Sequence, residues 1–162
     1  MPASNYAFID SQNVNLGVRS LGWSLDWRRF RLYLRQRYGV ARAYLFLGFV
    51  PKNQPLYESL QRDGYELIFK PVTYAPGGKA KGNVDAELVL QACAIDYEDY
   101  DRAVIVTSDG DFACLVHYLC GRGKLRVVLS PSRDNCSVLL RRAAQKSIRY
   151  LDQLRPLLEF RK

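Results

Sequence analysis

Five short stretches of this sequence are apolar at nearly every position rather than at every second one: YAFID (6–10), RAYLFLGFV (42–50), YELIFKPV (65–72), AVIVT (103–107) and LRVVLS (125–130). A strand that is wet on one face alternates apolar and polar residues, whereas a strand covered on both faces has no polar side. Such strands demand helices above and below them. The intervening segments supply these, with helical spacing over QPLYESLQRDG (54–64), about 84–95, and CSVLLRRAAQK (136–146). A further helix after strand 103–107 puts Phe112, Leu115, Val116 and Leu119 on one side. Near the start, Ser24 is expected to cap a helix from about Leu25. Trp27, Phe30 and Leu34 form its apolar face, and Arg28, Arg31 and Arg35 its solvated one. The tail, SIRYLDQLRPLLEFRK, reads as a short strand and a final helix. Strands alternating with helices imply parallel pairing through crossovers. The expected fold is α/β, a three-layer α/β/α sandwich with a mostly parallel central sheet, in one domain spanning 1–162.

The remaining bulk features narrow the function classes. No run approaches the roughly 20 apolar residues of a membrane helix. The opening MPASNYAFID lacks the basic and apolar segments of a secretory signal, so a soluble cytoplasmic protein is expected. Cys93, Cys114, Cys120 and Cys136 contain no C-x-x-C pair, and His117 is the one histidine. A structural zinc site is thereby disfavoured, and the cysteines read as reduced core thiols. The net charge of +8 favours a polyanionic partner. The acidic run DYEDYD (96–101) precedes its strand and reads as solvated surface.

Against that basic background the aspartates stand out by position. Ligands of an open parallel sheet bind beyond the carboxyl ends of the strands, where the strand order reverses. Asp10 closes the first strand, Asp109 and Asp111 follow strand 103–107 in the turn TSDGD, and Asp85 opens the helix after a Lys- and Gly-rich loop. Taken singly, each has an ordinary explanation: an Asx turn at Asp10 and Asn13, a helix-dipole partner at Asp85, a turn and cap at Ser108–Asp111. Adjacent first and 103–107 strands would bring all four carboxylates into one crevice, where only a cation relieves their repulsion. Oxygen-only clusters suit Mg²⁺ or Mn²⁺, which promote phosphoryl transfer. The D-x-D nucleophile pattern of one phosphatase type is absent, since residue 12 is Gln.

Three segments, FIDSQNV (8–14), KGNVD (81–85) and VTSDGDF (106–112), resemble the signature segments of the NYN domain, a PIN-like nuclease group that includes the LabA/DUF88 proteins. The resemblance covers nearly the whole chain. It implies a PIN-like fold and metal-dependent ribonuclease activity, with metal or catalytic carboxylates at Asp10, Asp85, Asp109 and Asp111. It further implies supporting polar groups at Asn13 and Ser108. One departure is Gln91, where many relatives carry another acid, which leaves one-metal and two-metal schemes open.

Lys79 and Lys81, on the Gly-rich loop, and Arg133, in the turn after strand 125–130, are candidate contacts to a nucleic-acid backbone, and Tyr74 is a candidate for base stacking. Basic residues alone do not separate RNA from DNA; the resemblance points to RNA. The apolar tail offers a surface on which a homodimer could form. The expected function is a metal-dependent endoribonuclease, and the alternative is a nucleic-acid-binding or regulatory protein that does not turn over.

Overall fold

Asn5–Asp10 forms the central strand, β1, of the computed structural model, which describes residues 4–71, 73–74, 80–81 and 84–161. The main sheet has six parallel strands in the order β3-β2-β1-β6-β7-β8, where β2 is Val40–Phe49, β3 Tyr65–Pro71, β6 Ala103–Val106, β7 Leu125–Ser130 and β8 Ile148–Tyr150. From β1 the chain builds outward through β2 to β3, then returns to β1's other side and builds outward again from β6. The reversal therefore lies between β1 and β6, which pair from Tyr6↔Ala103 to Ile9↔Val106.

Successive strand residues point into two different cores. Phe8, Tyr44, Phe46, Ile105 and Val128 face one side, beneath α4 (Asp85–Leu90), α5 (Ala113–Gly121) and α6 (Val138–Ala144). Ala7, Ile9, Leu45, Val104 and Leu129 face the other, beneath α1 (Ser11–Arg19), α2 (Trp27–Tyr38), α3 (Gln54–Arg62) and α7 (Arg155–Leu158). This two-sided burial is why the strands read as unbroken apolar runs. Phe8 and Tyr44 stack across the β1–β2 pair at 5.6 Å. The fold is the expected α/β sandwich, and its main sheet is parallel throughout.

Several details differ from the sequence expectation. Residues 11–19, where the sequence suggests no element beyond an Asx turn at Asp10 and Asn13, form α1. The next helix starts at Trp27, not Leu25, and its cap is Asp26, whose carboxylate accepts from the Arg29 N–H at 3.1 Å. Arg31 is not on a wet face: it is buried, and donates to the carbonyls of Gly64 (3.1 Å), Val40 (3.2 Å) and Ala41 (3.1 Å). Arg28 and Arg35 are exposed as expected. Asp96 is buried within the acidic run and accepts from Gln91 Nε2 at 2.9 Å, while the rest of the run includes exposed acids. Past α4 the helix widens into a π turn over Gln91–Ile95. Part of the expected loop at 73–83 forms β4 (Thr73–Tyr74) paired antiparallel with β5 (Ala80–Lys81). All four cysteines are free, but Cys114 is exposed rather than in the core. The tail covers its own protein: Leu151 and Leu158 are fully buried in the core under α2. No helix among the described residues is long and apolar enough to cross a membrane.

Candidate active site

The reversal point holds the acids. β1 delivers Asp10 at its last position, immediately before α1, and there Asp10 is buried with a 7% residual exposure. Asp109 follows β6 and caps a 3₁₀ turn over Gly110–Phe112, accepting from the Asp111 N–H at 2.9 Å. Asp85 is the first residue of α4. Carboxylate oxygens of Asp10, Asp85 and Asp109 lie within 4.8 Å of one another. They line a cleft of about 250 Å³ whose walls include Gln12, Leu16, Phe46 and Val84.

The arrangement is held by cross-links between β1, α1 and the loop after β6. Thr107, fully buried, donates from Oγ1 to Asp10 Oδ2 at 3.2 Å and accepts from the Asp109 N–H at 3.2 Å. One hydroxyl thus orients two of the three acids. Asn13 Oδ1 accepts from both the backbone N–H (2.9 Å) and the hydroxyl (3.0 Å) of Ser108, locking α1 to the same loop. Asn13 and Ser108, to which the resemblance assigns supporting roles, are bonded to each other beside the acids, whereas Thr107 was not singled out from the sequence. Its signal was a hydroxyl at the end of a buried strand, in contact with the turn that carries the carboxylates.

The electrostatics follow from crowding. Burial, then repulsion from Asp85 and Asp109, raises the Asp10 carboxyl from the ordinary 3.8 to about 6, with the Thr107 hydroxyl and the Asn13 backbone pulling the other way. The amino end of α1, at Asp10 itself, contributes a favourable partial positive charge. These residues fit a hard divalent cation. They offer only oxygen donors, and their mutual spacing is little more than twice a Mg–O bond of about 2.1 Å.

The other expected site residues are distributed less tightly. Asp111 is exposed and lies outside the three-carboxylate group among the described residues; its contribution to the geometry is its backbone N–H. Gln91 turns to Asp96. Arg133 is exposed in the turn after β7 and is not in the cleft lining. Lys79 lies outside the described residues, as do the side chains of Lys81 and Tyr74.

An acid-lined crevice at the switch point of a parallel sheet, built from the ends of β1 and β6 and the start of α4, places the chain among α/β proteins whose site lies beyond the carboxyl ends of the strands. Within that class the chain belongs to the NYN domain family, whose pattern matches residues 6–152. This family, part of the PIN-like nuclease superfamily, generally hydrolyses nucleic acids, and the cluster of Asp10, Asp85 and Asp109 is compatible with that chemistry. Among solved structures, the chain is similar to a protein of unknown function, VPA0982, from Vibrio parahaemolyticus RIMD 2210633. The two are 25% identical over 97% of this chain and 96% of that one, with a TM-score of 0.80. Comparison with curated proteins finds no match.

Proposed function

We propose that this protein is a Mg²⁺- or Mn²⁺-dependent endoribonuclease that hydrolyses phosphodiester bonds in the cleft between β1, β6 and α4. The observation that carries the reading is the meeting of Asp10, Asp85 and Asp109 within 4.8 Å at the sheet's switch point. These three would hold the cation, and a cation bound there supplies Lewis acidity toward a phosphodiester. Thr107 fixes the orientation of Asp10, and the Asn13–Ser108 link keeps α1 from drifting away from the Asp109 turn. Asp111 takes a lesser role, setting Asp109 through its N–H and adding negative potential at the rim. Lys79, Lys81 and Arg133 are the proposed contacts to the RNA backbone, and cytoplasmic residence and homodimer formation remain part of the expectation.

The test is cleavage of single-stranded and structured RNA with Mg²⁺ or Mn²⁺, comparing wild type, Asp109→Asn and Asp111→Asn. The expected result is EDTA-sensitive cleavage, lost in Asp109→Asn and only reduced in Asp111→Asn. Cleavage that persists in both EDTA and Asp109→Asn overturns the proposal. One observation favours a second reading, a binding protein without turnover: Gln91 is tied to Asp96 and adds no acid to the cleft. Salt-sensitive RNA binding with no cleavage under any divalent ion selects it.

A further inference from the structure

A second charged feature lies at the opposite end of the sheet. A cavity of about 90 Å³ is lined by Arg37, Tyr38, Arg126, Lys146, Ser147 and Arg149. It adjoins a second of about 200 Å³ that shares Arg37, Tyr38 and Arg149 and adds Tyr33 and Gln153. Four cations converge on this groove, and no carboxylate forms an ion pair with any of them among the described residues. Four cations elsewhere, Arg29, Arg42, Lys70 and Arg155, are ion-paired, so what distinguishes the groove is the convergence of its cations on one cavity.

Three of these cations, Arg37, Arg126 and Arg149, are also held in place. The Arg37 and Arg126 guanidiniums sit 5.2 and 4.9 Å from the centre of the buried Tyr38 ring, so one aromatic anchor positions both. Arg149 Nη1 donates to the carbonyls of Lys146 (3.0 Å) and Ile148 (2.7 Å), folding its side chain back toward the turn that carries Lys146. That turn is strained. Gln145 has φ 55, the one non-glycine residue with positive φ among the described residues, and the Ser147 N–H closes the turn on the Ala144 carbonyl at 2.9 Å. Glycine is the residue that fits such a position without cost. The strain falls where it presents Lys146 to the groove, as expected of a binding element.

Position relative to the acids fixes what the groove can do. Leu125 of β7 is level with Ala103 and, through it, with Tyr6, four residues short of Asp10. Arg126, in the register shift between Leu125 and Val127, therefore lies about 10–13 Å back along the strand direction from the acids and about 10 Å across the sheet. A single phosphate cannot touch both sites, but a polymer can.

We infer that the groove between Tyr38, Arg126 and the Gln145–Arg149 segment binds backbone phosphates of a nucleic acid, engaging the strand at a distance from the acidic cleft. The inference rests on the nuclease reading for the choice of polyanion. Four cations converging on one groove with no acid among them, three of them positioned by an aromatic ring or by backbone carbonyls, are what a phosphate-binding surface requires.

The experiment uses the full chain in EDTA, where binding is read apart from cleavage. Probes are a single-stranded RNA of about 20 nucleotides, a trinucleotide, and inorganic pyrophosphate. The variant is Lys146→Gln with Arg149→Gln, checked for an unchanged melting temperature; Lys52→Gln serves as a charge control. The expected result is about tenfold weaker binding of the long RNA, and a slope of log affinity against log salt shallower by about 1.4 for two lost phosphate contacts. Trinucleotide binding, and its Mn²⁺-supported cleavage, stay unchanged. Equal affinity and slope for wild type and variant overturn the inference, as does a wild type that binds no RNA. Loss of pyrophosphate binding alone, with long-RNA binding intact, also overturns it and assigns a small-phosphate site instead. Should the wild type bind as expected but cleave nothing, the nuclease reading fails while the groove assignment stands.

Discussion

Asp10→Asn removes one of three crowded charges and should make the metal-free protein more stable while destroying its metal site. A carboxyl raised from 3.8 to about 6 in the folded state corresponds to about 3 kcal/mol. The sign follows from the direction: folded Asp10 holds its proton more tightly than unfolded Asp10. Its contribution to stability is therefore fully present below about pH 3.8 and lost as pH rises through about 6. At pH 8 the wild type bears the whole cost of ionised Asp10. Asparagine does not ionise, keeps an oxygen for the Thr107 hydroxyl, and offers its N–H groups to the carboxylates of Asp85 and Asp109 close by. Imperfect geometry at the new amide will absorb part of the gain, leaving about 1–3 kcal/mol.

Urea unfolding in EDTA at pH 8 and at pH 4 measures this. The variant should be the more stable at pH 8, by about 2–12 °C if read as a melting temperature, and most of its advantage should disappear at pH 4. Millimolar Mn²⁺ at pH 8 should then reverse the order, because a cation stabilises only the protein that binds it. A variant no more stable than wild type at pH 8 in EDTA, or an advantage independent of pH, refutes the claim that crowded, buried charge is what this cleft stores.

Thr107→Val keeps shape but removes the hydroxyl that orients Asp10 and accepts from Asp109. It should raise the Asp10 carboxyl further, so Mn²⁺ affinity, measured by calorimetry, should fall more at pH 6 than at pH 8. Gly110→Ala would drive a Cβ into the Ser137 hydroxyl and to 3.1 Å from its Cβ. Ser137 caps α6 by accepting from the Leu139 N–H, so thermal unfolding should show a loss of about 2 kcal/mol, with cleavage reduced as the Asp109 turn shifts. Arg31→Lys should cost about 2 kcal/mol in chemical denaturation, because an ammonium cannot serve three separated carbonyls from one planar fork.

What could be read in advance was what periodicity encodes. Strands buried on both faces have a one-letter signature, and the switch-point rule converts strand ends into site positions; Asp10, Asp109 and Asp111 were reached that way, and Asp85 from its place at a helix start after the Lys- and Gly-rich loop. The misreadings share a cause. SQNVNLGVR carries two asparagines and a glycine, a poor helix by propensity, yet Gln12 and Asn13 are there for the cleft and Gly17 for the close approach of Pro131, whose Cβ would stand 3.0 Å from an added methyl. Arg31 looks like any helix arginine because its three acceptors come from segments nine and more residues away. Asp109 and Asp111 are indistinguishable in a string. The 3₁₀ turn separates them by spending the N–H of Asp111 on the carboxylate of Asp109, which fixes one acid in the cluster and leaves the other in solvent. Local patterns report burial and turn chemistry. Which of two neighbouring acids faces its distant partners is decided by hydrogen bonds that form only after the sheet has closed.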